Sequence, residues 1–249
     1  MAAISPVAVS AQKRVQRSTC KPSLLQPKAK LAMDQAALSV IDCWIFDMDN
    51  TLYPADSGVF EQVRLRMGEF IADRFGEEIG AARARQKRHY LKHGTTMRGL
   101  MVEDGIDPHE FMDYVHDVDL SALPRNPPWA QVVRELPGRK FVYTNASTKH
   151  AARLLEHLGL AGDFTAIYDI EASGYDPKPN QSAYERLIAL HGIDPTRAMM
   201  FEDMLANLAP AAALGMATVW LHGGKAPPPD GFQPLHAAGD LAEWLARLG

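Results

Sequence analysis

The sequence predicts an α/β protein: a doubly wound parallel sheet with an all-helical cap inserted after its first strand. Three observations carry this reading. Residues 40–46 form a β-branched and aromatic run, nearly continuously apolar, as the central strands of parallel sheets are. Residues 59–118 are charged, with Phe60, Val63, Met67, Phe70 and Ile71 at helical spacings of three and four, and carry few strand signals. After Pro128, strand-like and helix-like stretches alternate to the end of the chain.

Taken in order, residues 1–38 read as a basic, disordered tail. Lys13, Arg14, Arg17, Lys21, Lys28 and Lys30 lie there with no Asp or Glu before residue 34. A transit peptide, a solvated tail and an over-extended start with Met33 as the first residue all fit this composition. Pro6, Pro22 and Pro27 would interrupt an amphipathic targeting helix, and no apolar core suits a secretory signal. The core is expected at 39–53 and 125–249, and the cap at 54–124. Within the cap, helices are expected at 77–92, 96–103 and 108–117, and the proline-rich stretch 123–128 reads as a linker. Beyond it come helix 129–135, strand 140–143, helix 148–158 with Gly159 as its stop, and a strand near 166–170. Helix 181–191, strand 198–201, helix 205–214, strand 217–220 and helix 239–248 complete the pattern.

Composition excludes several classes. No run of about 18 apolar residues is present, so no membrane span is expected. Cys20 and Cys43 cannot build a disulfide framework, which points to a reducing, cytoplasmic setting. Cys43 reads as inert packing in a buried strand. Beyond residue 33 the chain has 20 basic and 30 acidic side chains, a poor balance for binding nucleic acid. Arg83, Arg85, Lys87 and Arg88 read as a solvated helix face, and Leu208, Ala211, Ala212 and Leu214 as helix core. The partner is expected to be a small molecule, with the chain a monomer or a homodimer.

Ligands of open parallel sheets bind beyond the carboxyl ends of the strands. Strand one ends at Asp47 and Asp49, the next at Thr144 and Asn145, and the fourth at Glu202 and Asp203. The loop after the third carries Lys178 between Pro177 and Pro179. Asp47, Asp49 and Asp203 together would repel one another unless a cation sat among them, and hard oxygen ligands suit Mg²⁺. An Asp carboxylate can attack phosphorus, and a second can protonate the leaving oxygen and later deprotonate water. The Thr144 hydroxyl and the amides around Met48, Asp49 and Asn145 offer donors to phosphate oxygens. Lys178 supplies a compact cation, aimed by its flanking prolines. Glu202 and Asn207 stand second to these.

The stretch Asp47-Met48-Asp49-Asn50-Thr51-Leu52-Tyr53 resembles the first motif of the haloacid dehalogenase-like hydrolase superfamily. Thr144-Asn145 resembles its second motif, Lys178-Pro179 its third, and Glu202-Asp203 with Asn207 its fourth. The resemblance covers about residues 40–221 with the motifs in family order. It implies a Rossmann-like core, a mobile cap and Mg²⁺-dependent phosphoryl transfer. By residue, it implies Asp47 as nucleophile and metal ligand and Asp49 as general acid/base, binding the metal through its carbonyl. Thr144 and Lys178 would be phosphate ligands, and Asp203 a metal ligand. Glu202 stands where many members have Gly, and Asn207 where many have Asp.

Within the superfamily the chain is most similar to the pyrimidine 5′-nucleotidase subgroup. The similarity rests on 46–53, on His93-Gly94-Thr95-Thr96-Met97-Arg98-Gly99-Leu100 and on 201–208. A pyrimidine nucleoside monophosphate is therefore the expected substrate, with Tyr53, Thr95, Thr96 and Arg98 as candidate contacts and Tyr90, His89 and His93 as further ones. A sugar-phosphate or phosphoglycolate phosphatase is the alternative. A 2-haloacid dehalogenase fits less well, because it has no leaving alkoxide for Asp49 to protonate. A non-enzymatic binding module would be expected to have lost Asp47 or Lys178. His89 and His93 stand one turn apart, as metal ligands can, but a metal there is not expected, because no Cys or Glu completes a zinc motif.

Overall fold

The computed structural model describes residues 38–226 and 230–248. The expected basic tail lies outside the described residues except for Leu38. Among the described residues, six parallel strands form one sheet in the order β3-β2-β1-β4-β5-β6. They are β1 (Cys43–Phe46), β2 (Arg139–Tyr143), β3 (Ala166–Tyr168), β4 (Ala198–Glu202), β5 (Ala217–Leu221) and β6 (His236–Ala238).

The first four helices after β1 are α1 (Val59–Phe75), α2 (Ile79–His93), α3 (Thr96–Asp104) and α4 (Pro108–Val115). Their boundaries follow local chemistry. Gly76 ends α1 and Gly105 ends α3 in left-handed conformations, the Thr95 hydroxyl caps α3, and Asp107 with Pro108 opens α4. The later helices are α5 (Pro128–Glu135), α6 (Thr148–His157), α7 (Gln181–His191), α8 (Leu205–Ala213) and α9 (Leu241–Leu245).

Alternation along β1 sends side chains to opposite faces of the sheet. Cys43 and Ile45 join Phe141, Tyr143 and Met200 beneath Tyr184 of α7 and Leu208 of α8. Trp44 and Phe46 join Val142 and Phe201 under Val133 of α5, Leu154 of α6 and Trp244 of α9, in a cluster continuous with the apolar side of α1–α4. Phe46 stacks on Phe201 at 4.6 Å, and Trp244 meets Phe201 edge-on at 4.7 Å. Burial pushes the Cys43 thiol up to about 11, so it packs as a small apolar side chain. At the start of β2, a Cβ on Gly138 would lie 2.2 Å from the Asp42 carbonyl oxygen. Only glycine admits the close approach that lets Arg139 N donate to Asp42 O.

Two expectations need correction. β6 is a sixth strand that the sequence pattern did not reveal, because three residues, His236–Ala238, are too few to establish a period of two. The last helix is shorter than 239–248. Asp240 caps its start by accepting from Glu243 N, and the helix runs only over Leu241–Leu245. Among the described residues, no helix is long and apolar enough to cross a membrane.

Candidate active site

The sheet order makes β1 the strand from which the chain moves first to β2 and β3, then across to β4. A crevice at the carboxyl edge of such a strand is where doubly wound folds bind ligands. Asp47 follows β1 directly, held by its amide donating to Phe201 O at 2.9 Å. The chain then turns. Leu52 N donates to Met48 O at 3.0 Å, and Asn50 adopts φ 61°, a left-handed conformation that Asn tolerates better than most side chains.

Lys178 sits at the centre of the site and is buried. Its ammonium has three protons and three acceptors: Asp47 Oδ1 at 2.5 Å, Glu202 Oε2 at 2.8 Å and Tyr143 O at 2.9 Å. Carboxylate oxygens of Asp47, Glu202 and Asp203 approach within 4.8 Å of one another. Asp49, the fourth carboxyl, accepts the Tyr53 hydroxyl at 2.5 Å, and His150 Nε2 lies 3.9 Å from it.

One ammonium faces four carboxyls, and the electrostatics follow. Burial, then the charge of Glu202, pushes Asp47 up to about 6 against the pull of Lys178. Burial and Asp47 push Asp49 up to about 7, and the same two causes push Asp203 up to about 6. Burial raises Glu202 to about 7 although Lys178 opposes it. Burial alone would lower Lys178, but Asp47 and Glu202 hold it well above the ordinary lysine range. A cluster of hard oxygens carrying excess negative charge is a fit for a divalent cation such as Mg²⁺, with Asp47, Asp203 and Glu202 as the carboxylates at hand.

Glu202 is thus more central than its sequence position suggested; its place at the end of β4 was the available signal. Thr144 is buried, its hydroxyl accepting Ala146 N at 3.0 Å. Asn145 was expected among the phosphate donors. Its side chain grips the backbone of Lys178, with Oδ1 accepting from Lys178 N at 2.9 Å and Nδ2 donating to Lys178 O at 3.3 Å. Asn207 is buried, and its carbonyl accepts the Tyr184 hydroxyl at 2.6 Å.

The expected substrate contacts are engaged elsewhere. Tyr53 is buried beneath Asp49, on the loop before the helices rather than on them. Thr95 caps α3 by accepting Arg98 N at 3.1 Å. Thr96 is buried and donates to Gln86 O at 3.4 Å. Arg98 Nη1 donates to Tyr175 O at 3.0 Å and Asp176 Oδ1 at 3.1 Å, which fastens α3 to the loop that carries Lys178. Each of these groups already has a partner within the protein.

Sequence reasoning missed the cleft between α4 and α6. It encloses about 340 Å³ and is lined by Arg66, Tyr114, His116, Ser147, His150 and Arg153, among others. The His116 and His150 rings stack at 4.5 Å, and His150 joins the cleft to Asp49.

A family model for haloacid dehalogenase-like hydrolases matches residues 41–215. The chain belongs to that family. Phosphate metabolism protein 8 of Saccharomyces cerevisiae is 26% identical over 196 residues, 71% of this chain and 60% of the yeast protein. Enolase-phosphatase E1 of Sorangium cellulosum is 33% identical over 91 residues, 35% of this chain and 38% of that one. The chain therefore spans less than two thirds of the length of these relatives. Among solved structures, a HAD phosphatase from Thermococcus onnurineus superposes with a TM-score of 0.60 at 18% identity, covering 84% of this chain and 98% of the other. The L-2-haloacid dehalogenase of Xanthobacter autotrophicus superposes with a TM-score of 0.53 at 14% identity, covering 84% and 98%. At these identities the likeness concerns the fold alone.

Proposed function

We propose that the protein is a Mg²⁺-dependent phosphatase of small phosphomonoesters that works through an aspartyl-phosphate on Asp47. The observation that carries this reading is the placement of Lys178 Nζ between Asp47 and Glu202, inside a cluster of four carboxyls at the sheet edge. The name of the enolase-phosphatase relative supports the same reaction class.

Asp47 attacks phosphorus as the ester P–O bond breaks, and Asp49 delivers its proton to the leaving alkoxide. Its raised pKa keeps that proton available near neutral pH. Asp49 then takes a proton from water as the water attacks phosphorus, the acyl phosphate bond breaks, and Asp47 is regenerated. Tyr53 orients Asp49 throughout by its hydrogen bond. Lys178 holds Asp47 in place and offsets the charge of the transferred group. Asp47, Asp203 and the Asp49 carbonyl would hold Mg²⁺, which would supply charge neutralisation for the phosphoryl oxygens.

Asp49 disfavours the dehalogenase reading, since halide leaves without a proton. A pyrimidine nucleoside monophosphate is the substrate that the motif resemblance supports. Engagement of Thr96 and Arg98 within the protein favours a second reading, a sugar phosphate or phosphoglycolate that needs no base-reading groups from α3. A phosphate-release screen with Mg²⁺ over UMP, CMP, purine nucleotides, sugar phosphates and phosphoglycolate decides between them. Preference for UMP or CMP supports the nucleotidase. A flat profile or a preference for phosphoglycolate rejects it, and no phosphate release from any ester overturns the phosphatase.

A further inference from the structure

Helices α2 and α3 carry a second cluster of ligating side chains, which shares no residue with the acidic site. His89 and His93 stand one turn apart on α2, and Glu103 and Asp104 close α3. Glu103 reaches both rings. Its Oε1 lies 2.8 Å from His93 Nε2, and its Oε2 lies 3.7 Å from His89 Nδ1. Each of the three residues offers a ligand atom within 4.8 Å of the others. The carboxylate absent from the local sequence around the two histidines thus arrives from the neighbouring helix.

Two features separate this cluster from an ordinary surface ion-pair network. His89 is fully buried; its Nε2 faces Asp104 Oδ2 at 2.9 Å, and its Nδ1 makes no hydrogen bond among the described residues. Buried polar atoms in folded proteins are almost always bonded, so the unbonded Nδ1 calls for a ligand. The chain also makes room for this ring. A Cβ on Gly99 would sit 2.3 Å from His89 Cβ and 2.5 Å from its Nδ1, so any other residue at 99 would displace the histidine.

The cation now nearest Glu103 is Lys92, 2.6 Å from Oε1, and its side chain is 65% exposed, free to withdraw into water. Arg85 occupies only the other oxygen of Asp104, at 3.0 Å. Two imidazoles with one carboxylate are a Zn²⁺ ligand set, whereas Mg²⁺ takes oxygen.

We infer that His89, His93 and Glu103 bind a transition-metal dication of the Zn²⁺ type, which clamps α2 to α3 inside the helical insertion.

The test uses the full chain with Asp47→Asn and Asp203→Asn, which removes two carboxylates of the acidic cluster. Calorimetric titration with Zn²⁺ should give one equivalent bound, Co²⁺ should give the intense visible bands of a four- or five-coordinate ion, and Zn²⁺ should raise Tm. His93 lies near the surface, so adding His93→Ala should leave the far-ultraviolet circular dichroism unchanged. It should weaken Zn²⁺ binding by at least about tenfold and abolish the rise in Tm, and Glu103→Gln should do the same. No Zn²⁺ binding to the starting variant, or equal binding after His93→Ala, overturns the assignment.

Discussion

Asn145 holds Lys178 by both ends of its amide, accepting from the lysine backbone N at 2.9 Å and donating to its carbonyl at 3.3 Å. The two residues are 33 positions apart, on the loops after β2 and β3. This pair is what brings a lysine from an irregular loop into the acidic cluster with its three donors already satisfied.

Asn145→Ala should therefore impair catalysis without touching a reacting atom. Losing two hydrogen bonds should cost about 1–2 kcal/mol of stability, read by urea unfolding. Phosphate release should fall by roughly 10- to 100-fold in kcat/KM, as expected for a misplaced catalytic cation. Activity equal to the parent would show that the loop holds Lys178 without this clamp.

Asp47→Asn should reduce phosphate release to background. Its effect on stability should be the opposite of damage. The native carboxyl is raised to about 6, above its unfolded value, so the folded state binds more protons than the unfolded one between those values. Stability is then lost as pH rises through that window, and the amide escapes the loss. Without divalent cation, the gain in Tm should be larger at pH 7.5 than at pH 5, measured by differential scanning fluorimetry.

Cation binding at the acidic cluster should strengthen with pH. Asp47 and Asp203 titrate near 6, so protons must leave when Mg²⁺ enters. Affinity should rise by about tenfold or more from pH 5.5 to 7.5. Calorimetry in buffers of different ionisation enthalpy should register the released protons. A pH-independent Kd would contradict the charge balance drawn here.

His150→Phe should flatten the acid limb of stability. Burial, then Arg153, depresses the native histidine to about 4, and an unfolded histidine titrates near 6.5. Below 6.5 the unfolded chain gains a proton that the native ring refuses, so stability falls as pH drops toward 4. Between pH 7 and 5 this amounts to roughly 2 kcal/mol. Urea unfolding at the two pH values should show the parent losing that much more than the variant, which keeps an aromatic ring against His116.

Much of this protein is legible from local sequence. The apolar run ending in Asp47 and Asp49, the stretch ending at Thr144, and the stretch ending at Glu202 and Asp203 each announce a buried strand with a polar end. Parallel sheets collect such ends on one edge, so the acidic cluster and Lys178 could be named before any contact was known. The helices of the insertion were legible for the same reason, since period, caps and glycine stops are written within a few residues of one another.

Only the tertiary structure decided which of these groups face each other. It placed Glu202 against Lys178, turned Asn145 to the lysine backbone, set Tyr53 under Asp49 and spent Arg98 on Asp176. It also carried Glu103 to His89 and His93. The physical reason is common to all of these pairings. Backbone propensity and hydrophobic period act over a few residues, whereas a hydrogen bond or ion pair forms between whichever polar groups packing leaves adjacent and short of water.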